Sequence, residues 1–315
     1  MATERELVEL FRRELGLGTS FEDAESILFQ GKNIVATTDM LNEGSDFPPG
    51  MPYDAIGWIS VAANLSDIAA AGAKPLGLLM ACGFPKELPE HGVREIARGM
   101  AKACRAHKTR IIGGDLNEMP SITLCGTAFG VARFPLTRGA AKPGDLLAVT
   151  GPLGASAAGY LIYWSKKEKR NEAEEKLLRR FNYPLARTAL MAELNGKGLV
   201  RAATDISDGL SAAVHSLCTE SGTGALVEYI GLPLFEGFEE FCKRQGRNPL
   251  ELLNLGCDYE ILAAFPQECF AAAKRIARSK GGDLYEIGTL LKKDVLLEKD
   301  GKIAAFPKSG FAHFG

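Results

Sequence analysis

Four short segments of the chain each carry an aspartate beside small or hydroxyl-bearing residues. They are Thr37-Thr38-Asp39, Asn64-Leu65-Ser66-Asp67, Gly113-Gly114-Asp115 and Asp205-Ile206-Ser207-Asp208, with a weaker fifth case at Glu22-Asp23-Ala24. Magnesium prefers hard oxygen ligands, often one or two carboxylates together with waters and phosphate oxygens. Several converging aspartates repel one another unless cations lie between them. The pattern therefore indicates a candidate magnesium–phosphate site.

Two further features fit a phosphate ligand. Gly113 and Gly114 let the backbone approach a phosphate because they carry no Cβ. Arg138 supplies a planar, permanently charged group that can bind phosphate oxygens. These residues fit a metal–phosphate site, and with a triphosphate ligand two or more metal ions would be needed to neutralise the charge. Residue spacing alone leads no further than such a site.

Taken one at a time, most of these aspartates also have a structural explanation. Asp208 precedes Gly-Leu-Ser and is a good helix N-cap, whereas Asp39 and Asp115 follow apolar strands, where turn-forming aspartates are common. Asp67 differs because it lies within the apolar helical segment VAANLSDIAAAGA, where a carboxylate is costly to bury without a partner or a metal. For Asp67 a functional role weighs about equally with simple partial exposure of the side chain, which still makes it the strongest single indication among the aspartates.

Other motifs are weaker. The glycine-rich run GPLGASAAG at 151–159 leads into a predicted helix and could bind phosphate, but it matches neither GxGxxG nor the P-loop consensus. Tight packing of a strand on a helix is the better explanation. Protein-kinase signatures and a GxSxG nucleophile motif are absent from the sequence.

Composition limits the class of protein. The 315 residues are 46% apolar with a net charge of −2, which is typical of a globular protein and argues against a general nucleic-acid binder. No apolar run approaches the roughly 20 residues that span a bilayer. The seven cysteines are widely spaced and the N-terminus lacks signal-peptide features, so we expect reduced thiols in a cytoplasmic protein with no zinc site.

Hydrophobic periodicity predicts an α+β (mixed α/β) protein in two halves that meet near residues 134–145. Predicted strands cover residues 32–38, 76–84, 109–113, 121–131, 145–151, 201–206, 225–229, 260–265, 284–290 and 295–298. Predicted helices cover 54–72, 92–107, 154–164, 184–194, 209–220, 237–245 and 266–280, and the charged run from residue 165 reads as a solvated helix or loop.

At these same residues the sequence resembles the thiamine-monophosphate kinase family, which belongs to the superfamily of aminoimidazole ribonucleotide synthetase. The matching segments run in family order over essentially the whole chain. They are TTDMLNEGSDF (37–47), NLSDIAAAGAKPLG (64–77), IIGGD (111–115), RGAAKPGDLLAVTGPLGASAAG (138–159), DISDGL (205–210), GCDYEIL (256–262) and GFAHF (310–314).

The resemblance implies ATP-dependent phosphorylation of thiamine monophosphate by direct in-line transfer. It implies an N-terminal ATP/Mg²⁺-binding and dimerisation domain at 1–137 and a C-terminal α/β domain at 138–315, with the N-terminal sheets of a homodimer forming a shared β-barrel. The implied ligands of several Mg²⁺ ions are Asp23, Thr37, Thr38, Asp39, Asp67, Asp115, Asp205 and Asp208, of which Asp39, Asp115 and Asp208 are given the catalytic role. The implied ATP contacts are Gly114, Asp115, Arg138 and Ser207.

The chain departs from the family pattern on the acceptor side. Asp46 replaces a substrate-contacting histidine and Cys257 replaces a substrate-contacting glutamate, whereas the aromatic contact is retained as Phe311. These differences leave open a related ATP-dependent kinase with another small acceptor. A nucleotide-binding protein without turnover and a synthetase of the same fold are the more distant alternatives, and the TTDM and GFAHF segments argue against the synthetase.

Overall fold

The computed structural model describes residues 3–17, 21–165 and 169–311. Within those ranges the chain alternates between helices and strands. The helices are α1 (Glu4–Glu14), α2 (Tyr53–Ala70), α3 (Glu90–Ala106), α4 (Ala155–Trp164), α5 (Glu172–Asn182), α6 (Thr188–Gly196), α7 (Leu210–Ser221), α8 (Phe238–Gln245), α9 (Pro249–Leu253) and α10 (Gln267–Ser279).

The strands form two sheets. The first comprises β1 (Glu25–Phe29), β2 (Lys32–Asn42), β3 (Lys74–Phe84), β4 (Ile111–Glu118) and β5 (Thr123–Ala132), in the order β1-β2-β5-β3-β4. The second comprises β6 (Leu146–Val149), β7 (Ala202–Asp205), β8 (Gly224–Glu228), β9 (Ile261–Phe265), β10 (Tyr285–Leu291), β11 (Val295–Lys299) and β12 (Lys302–Ala305), in the order β12-β11-β8-β10-β6-β9-β7.

The observed elements confirm the mixed α/β class and nearly all of the predicted helices and strands. Two strands, β1 and β12, and two helices, α1 and α9, are absent from the predicted set. The elements β1, β12 and α9 have only four or five residues each, which gives little periodicity to detect. The charged run contains α5, which begins with a capping box between Asn171 and Glu174. Residues 166–168 of that run, 18–20 of the N-terminal glycine-containing stretch and 312–314 of the GFAHF segment lie outside the described residues.

Helix α2 is the central element because it packs against both halves of the molecule. It lies on β2 and β5 of the first sheet and also contacts α3, α6 and β7. Most of its residues are buried, so its apolar surface extends around the helix. Its approach to α3 is very close, since a Cβ added to Gly57 would lie 2.0 Å from the Ile96 carbonyl oxygen. Asp67, near the C-terminal end of this helix, is only partly buried, unlike Ser66 and Ile68 on either side of it.

The first sheet has one covered and one open face. Along β5, Leu124, Ala128 and Ala132 are buried under α2, while the intervening residues are partly exposed. On β2 and β4, Met40 and Leu116 are 65% and 71% exposed. The open face and the edge strand β4 are therefore apolar and accessible in the single chain.

None of the helices in the described ranges combines the length and apolar composition that crossing a membrane requires.

Candidate active site

Three aspartates from distant parts of the sequence converge between the two sheets. Asp23 precedes β1, Asp67 lies near the end of α2, and Asp205 ends β7. One carboxylate oxygen from each lies within 4.8 Å of the others. We call these residues the carboxylate group; they are three of the eight residues predicted from the sequence as metal ligands.

Hydroxyl groups orient the carboxylates. The Thr37 hydroxyl donates to Asp67 Oδ2 at 2.6 Å, and Thr37 faces α2 because it alternates with Thr38 along β2. The hydroxyls of Ser66 and Ser207 donate to the two oxygens of Asp205 at 2.7 and 2.8 Å. These bonds hold the carboxylates in place, although each hydroxyl is a neutral donor.

The electrostatics of the carboxylate group indicate unbalanced negative charge. Burial, followed by repulsion from Asp23, raises the pKa of Asp205 to about 7. Burial and then repulsion from Asp39 raise the pKa of Asp67 well above its usual value, and burial with repulsion from Asp208 raises the pKa of Asp39 to about 6. Such carboxylates hold protons when no cation is present, which is the expected behaviour of a site that suits a divalent ion.

Arg138 neutralises only one side of the carboxylate group. Its guanidinium Nη2 donates to Asp23 Oδ1 at 2.5 Å, Nη1 donates to the Phe21 carbonyl oxygen at 3.0 Å, and Nε donates to the Thr204 hydroxyl at 3.0 Å. The backbone amide of Arg138 also donates to Glu22. The arginine is thus anchored beside the carboxylates and has lost most of its contact with solvent.

The carboxylate group borders two cavities. The first, of about 430 Å³, is lined by Arg138, Thr204, Glu220 and Lys308, and we call it the Arg138 cavity. The second, of about 420 Å³, we call the Cys257 cavity, and its lining includes Asp39, Asp46, Asp67, Tyr160, Cys257 and Tyr259. Asp205, Ser207, Asp208 and Phe311 line both cavities. Two ligands bound in these cavities would therefore meet at the carboxylates.

Close backbone packing sets the position of Cys257. The amide of Cys257 donates to the Ser207 carbonyl oxygen at 2.6 Å. The preceding Gly256 has φ +82°, and a Cβ there would lie 1.9 Å from the same oxygen. Only glycine allows this approach, which brings Cys257 beside the Asp205–Asp208 segment.

Two predicted residues of the site, Gly114 and Asp115, do not join the carboxylate group within one chain. Asp115 pairs with Ala81, which pairs with Cys125, which pairs with Met40. Three strand spacings, about 14 Å, therefore separate Asp115 from the residue next to Asp39. Gly114 and Asp115 instead line a shallow depression on the exposed edge strand β4.

The side chain of Thr38 also points away from the carboxylates. Its hydroxyl donates to the Gly126 carbonyl oxygen at 2.8 Å and lies 3.2 Å from the Thr127 hydroxyl. Because successive side chains of a strand alternate between faces, Thr37 and Thr38 cannot both reach the group through their hydroxyls.

The structural alternatives for three aspartates were wrong. The N-cap of α7 is Gly209, so Asp208 does not cap that helix. Asp39 and Asp115 do not form turns after strands; both lie within strands, paired opposite Gly126 and Ala81. The strands are longer than predicted because pairing with neighbouring strands overrides the low β-propensity of aspartate.

The glycine-rich run at 151–159 serves packing, as favoured from the sequence. A Cβ on Gly154 would lie 2.7 Å from the ring of Phe238, and one on Gly159 would lie 2.5 Å from Phe181. The amides of Gly154 and Ser156 donate to the Asp258 carboxylate at 2.8 and 3.2 Å. An internal carboxylate therefore takes the donors that a phosphate would need.

Sequence reasoning missed three residues of the cavities. Lys308 lines the Arg138 cavity, while Tyr160 and Tyr259 line the Cys257 cavity. The tyrosine in the DYE sequence next to Cys257 was a usable signal for Tyr259. Lys308 has no local pattern that distinguishes it from other surface lysines.

The chain was compared with models of known protein families, with curated proteins and with solved structures. Residues 21–132 match the model of the AIR synthase related protein N-terminal domain, and residues 142–297 match that of the C-terminal domain. Among curated proteins, the thiamine-monophosphate kinase of Pyrococcus horikoshii is 32% identical over 98% of this chain and 96% of its own length. That of Aquifex aeolicus is 30% identical over 83% of this chain and 85% of its own length.

A solved structure of AaThiL complexed with AMPPCP and TMP superposes with a TM-score of 0.89. It is 28% identical and covers 99% of this chain and 97% of its own. The chain therefore has the two-domain architecture of the AIR synthase related proteins. Within that class, it belongs to the thiamine-monophosphate kinase family.

The raised pKa of Asp205 makes the stability of the metal-free protein depend on pH. The carboxyl group has a pKa of about 7 when folded and 3.8 ordinarily, so the folded state binds its proton more tightly than the unfolded state. Stability should therefore fall as pH rises from about 4 to 7, by on the order of 1.4 kcal/mol per pH unit from this group. We expect Asp205→Asn to show a smaller loss of unfolding free energy between pH 5 and pH 8, measured by urea denaturation in a chelator.

Asp300→Asn is the matched control because Asp300 is an exposed turn residue between β11 and β12. It should keep the pH dependence of the unsubstituted protein. An unchanged pH dependence in Asp205→Asn would contradict the assignment.

Proposed function

We propose that this protein transfers the γ-phosphoryl group of ATP to the phosphate of thiamine monophosphate, forming thiamine diphosphate and ADP. The observation that carries the proposal is the position of the carboxylate group at the junction of the Arg138 and Cys257 cavities. A donor and an acceptor in these cavities would bring two phosphate-bearing ends together. An acceptor oxygen would attack the γ-phosphorus in line as the ADP oxygen leaves, without a phosphoenzyme.

The carboxylate group suits Mg²⁺. Asp23, Asp67 and Asp205 supply hard oxygen donors within 4.8 Å of one another, and the raised pKa values of Asp67 and Asp205 reflect charge that a cation would neutralise. We assign these three residues as the primary ligands and Asp39 and Asp208 as further ligands at the junction. Bound Mg²⁺ supplies charge neutralisation for the transferred phosphoryl group.

We place the nucleotide in the Arg138 cavity because that cavity has cationic side chains in its lining, whereas the described lining of the Cys257 cavity has no lysine or arginine. Arg138 and Lys308 line it, together with Ser207 at the carboxylate end. A guanidinium held by Thr204 and the Phe21 carbonyl oxygen is already oriented for phosphate oxygens. AaThiL was solved with AMPPCP, an analogue of ATP, which supports ATP as the phosphoryl donor.

On the acceptor side, the two departures from the family pattern compensate for each other. Asp46 and Cys257 line the same cavity, and burial followed by repulsion from Asp46 raises the pKa of the Cys257 thiol to about 12. The thiol is therefore neutral, and the pair retains one carboxylate, at position 46 instead of 257. Thiamine monophosphate carries a cationic ring, so we propose that Asp46 supplies the negative charge near it. Phe311, Tyr160 and Tyr259 offer aromatic surface.

The protein should act as a homodimer formed through the first sheet. Met40 and Leu79 are exposed on the open face, and Ile112 and Leu116 are exposed on the β4 edge strand, so a second copy that pairs along this edge and covers the open face would bury apolar surface at both places. We propose that this pairing forms the barrel expected for the family and brings Gly114 and Asp115 of one chain to the carboxylate group of the other. Asp115 cannot reach that group within its own chain.

A reducing, cytoplasmic location is part of the proposal. All seven cysteines are free thiols in the structure, and Cys104, Cys218 and Cys242 are buried. Unpaired thiols are typical of proteins in a reducing compartment.

The function is tested by incubating purified protein with ATP, Mg²⁺ and thiamine monophosphate and measuring thiamine diphosphate by chromatography. We expect Mg²⁺-dependent formation of the product. Asp67→Asn should lower kcat by at least about 100-fold, because even residues that only hydrogen-bond to a metal ligand contribute roughly 10–100-fold. Asp300→Asn should retain full activity.

Other outcomes would identify the alternatives. ADP release that depends on a different phosphorylated acceptor, with no thiamine diphosphate, would indicate a related kinase. Absence of acceptor-dependent ADP release with every acceptor tested would indicate a nucleotide-binding protein without turnover.

A double-mutant cycle tests the compensation between Asp46 and Cys257. Asp46→Asn removes the carboxylate but keeps an oxygen that can accept the turn bonds from the Asn42 amide and Ser45 hydroxyl. Cys257→Glu places a second carboxylate beside the first. We expect each single change to lower kcat/KM for thiamine monophosphate by about tenfold and the double variant to recover much of the loss. Cys257→Gln combined with Asp46→Asn should not recover it, and additive losses in the double variant would reject the charge exchange.

Mixing two inactive variants tests the role of Asp115 across the dimer. Asp67→Asn and Asp115→Asn proteins are combined, dissociated and reassociated. If Asp115 acts in the partner's site, half of the dimers are mixed and one of the two sites in each is intact, so about a quarter of full activity should return. If both residues act in one chain, the mixture stays inactive. Leu116→Arg should yield a monomer by light scattering.

A further inference from the structure

A cavity of about 500 Å³ lies between the two halves of the molecule and shares no lining residue with either cavity of the proposed active site. Its walls come from the start of β3, the end of α3, the first turns of α6 and the end of α10. That volume is within the range of small-molecule binding sites, roughly 300–1,000 Å³. We call it the α6 cavity.

The charge lining the α6 cavity is of one sign. Lys74, Lys108, Arg187 and Lys280 line it, and no aspartate or glutamate among the described residues does. Arg187 is committed to the buried carboxylate of Glu260, which also binds Arg180, and Lys280 pairs with Glu193. Lys108 follows the C-terminus of α3, where a cation stabilises the helix dipole. Lys74 has neither kind of partner within the described ranges.

The N-terminus of α6 opens onto the same cavity without a cap. The N-cap residue, Arg187, makes no side-chain capping bond. Residues 188–190, whose amides have no partner within the helix, all line the cavity. Across residues 3–17, 21–165 and 169–311, no acceptor takes these amides. They remain available to an anion.

Thr188 points independently to a ligand. It lines the cavity, is only 2% exposed, and its hydroxyl makes no hydrogen bond within the described part of the chain. Among the described residues, only the Thr109 hydroxyl is both completely buried and without a hydrogen-bond partner. The Thr188 hydroxyl also has no partner, but its oxygen keeps some accessible surface, so it can bond to a ligand in the cavity.

The segment leading into α6 is held rigidly by the N-terminal half. The amide of Ala186 donates to His107 Nε2 at 3.0 Å, and the indole N–H of Trp58 donates to the Pro184 carbonyl oxygen at 2.6 Å. His107 Nδ1 lies 2.8 Å from the Ala103 carbonyl oxygen, so the ring is neutral with its proton on Nδ1. The donors at the start of α6 are thus preorganised.

The remaining wall is apolar. Pro75, Leu185, Ala189 and Ala277 contribute to it. A bare phosphate ion would leave this surface in contact with water, whereas an organic body would cover it.

From these observations we infer that the α6 cavity is a second ligand site, which binds a phosphate monoester with an apolar body. The phosphate would accept from the α6 amides and the Thr188 hydroxyl and pair with Lys74 and Lys108. The apolar body would contact the alanine, leucine and proline wall. Because both halves contribute residues, such a ligand would bridge them.

Phenyl phosphate is a suitable probe because it combines both chemical features. It would be titrated into the full-length protein by calorimetry with Mg²⁺ and AMPPCP present, so that the proposed nucleotide site is occupied. We expect binding that weakens by about tenfold or more in Thr188→Val and in the double variant Lys74→Gln/Lys108→Gln. Lys86→Gln, which changes an exposed lysine elsewhere, should bind as the unsubstituted protein does.

Inorganic phosphate should bind more weakly than phenyl phosphate, and phenol should not bind measurably. Equal affinity of phenyl phosphate for all variants would place its site elsewhere and overturn the inference, as would the absence of binding. Inorganic phosphate binding as tightly as phenyl phosphate would overturn the organic part of the assignment. The lysine variants alter exposed side chains, so their unfolding midpoints serve as the check that the fold is intact.

Discussion

The mutual repulsion of converging carboxylates is the constraint on which the rest of this structure depends. Asp23, Asp67 and Asp205 arrive from three distant parts of the chain and place oxygens within 4.8 Å of one another. A single arginine beside Asp23 offsets only part of that charge, so the metal-free protein keeps protons on groups that would otherwise be ionised. Buried carboxylates of this kind are typical of functional sites, and the proposed phosphoryl-transfer site with divalent ions would account for the charge.

The elements around the carboxylates serve to hold them close. Helix α2 is buried on most sides and close-packed against α3, so the position of Asp67 varies little. Hydroxyls of Thr37, Ser66 and Ser207 fix the carboxylate orientations from β2, α2 and the β7–α7 turn. Close packing also requires a glycine at position 256, because a Cβ there would collide with the Ser207 carbonyl oxygen. The same oxygen accepts from the Cys257 amide and so fixes Cys257 on the acceptor side.

The single chain leaves two surfaces whose chemistry extends beyond the carboxylates. Gly114 and Asp115, although part of the expected nucleotide side, lie on an exposed edge strand in one chain, and the proposed pairing of two first sheets would cover that edge. The α6 cavity lies at a different junction of the two halves and offers cationic and hydrogen-bonding groups instead of carboxylates. The two sites therefore have opposite charge: the carboxylate group attracts cations, whereas the α6 cavity attracts anions.

By itself, the sequence determined the mixed α/β class, most elements and the types of residue at the site. Periodicity reports local burial, and an aspartate such as Asp67 in an apolar helix is costly wherever that helix packs. Only the tertiary structure decided which aspartates meet, because that depends on strand order and pairing register. It placed Asp39 and Asp115 within strands, directed the Thr38 side chain away from the carboxylates and made Gly209 the N-cap of α7. It also placed Asp46 and Cys257 in the lining of one cavity. Local propensity carries no information about such long-range pairing, and so these outcomes could not be read from the chain alone.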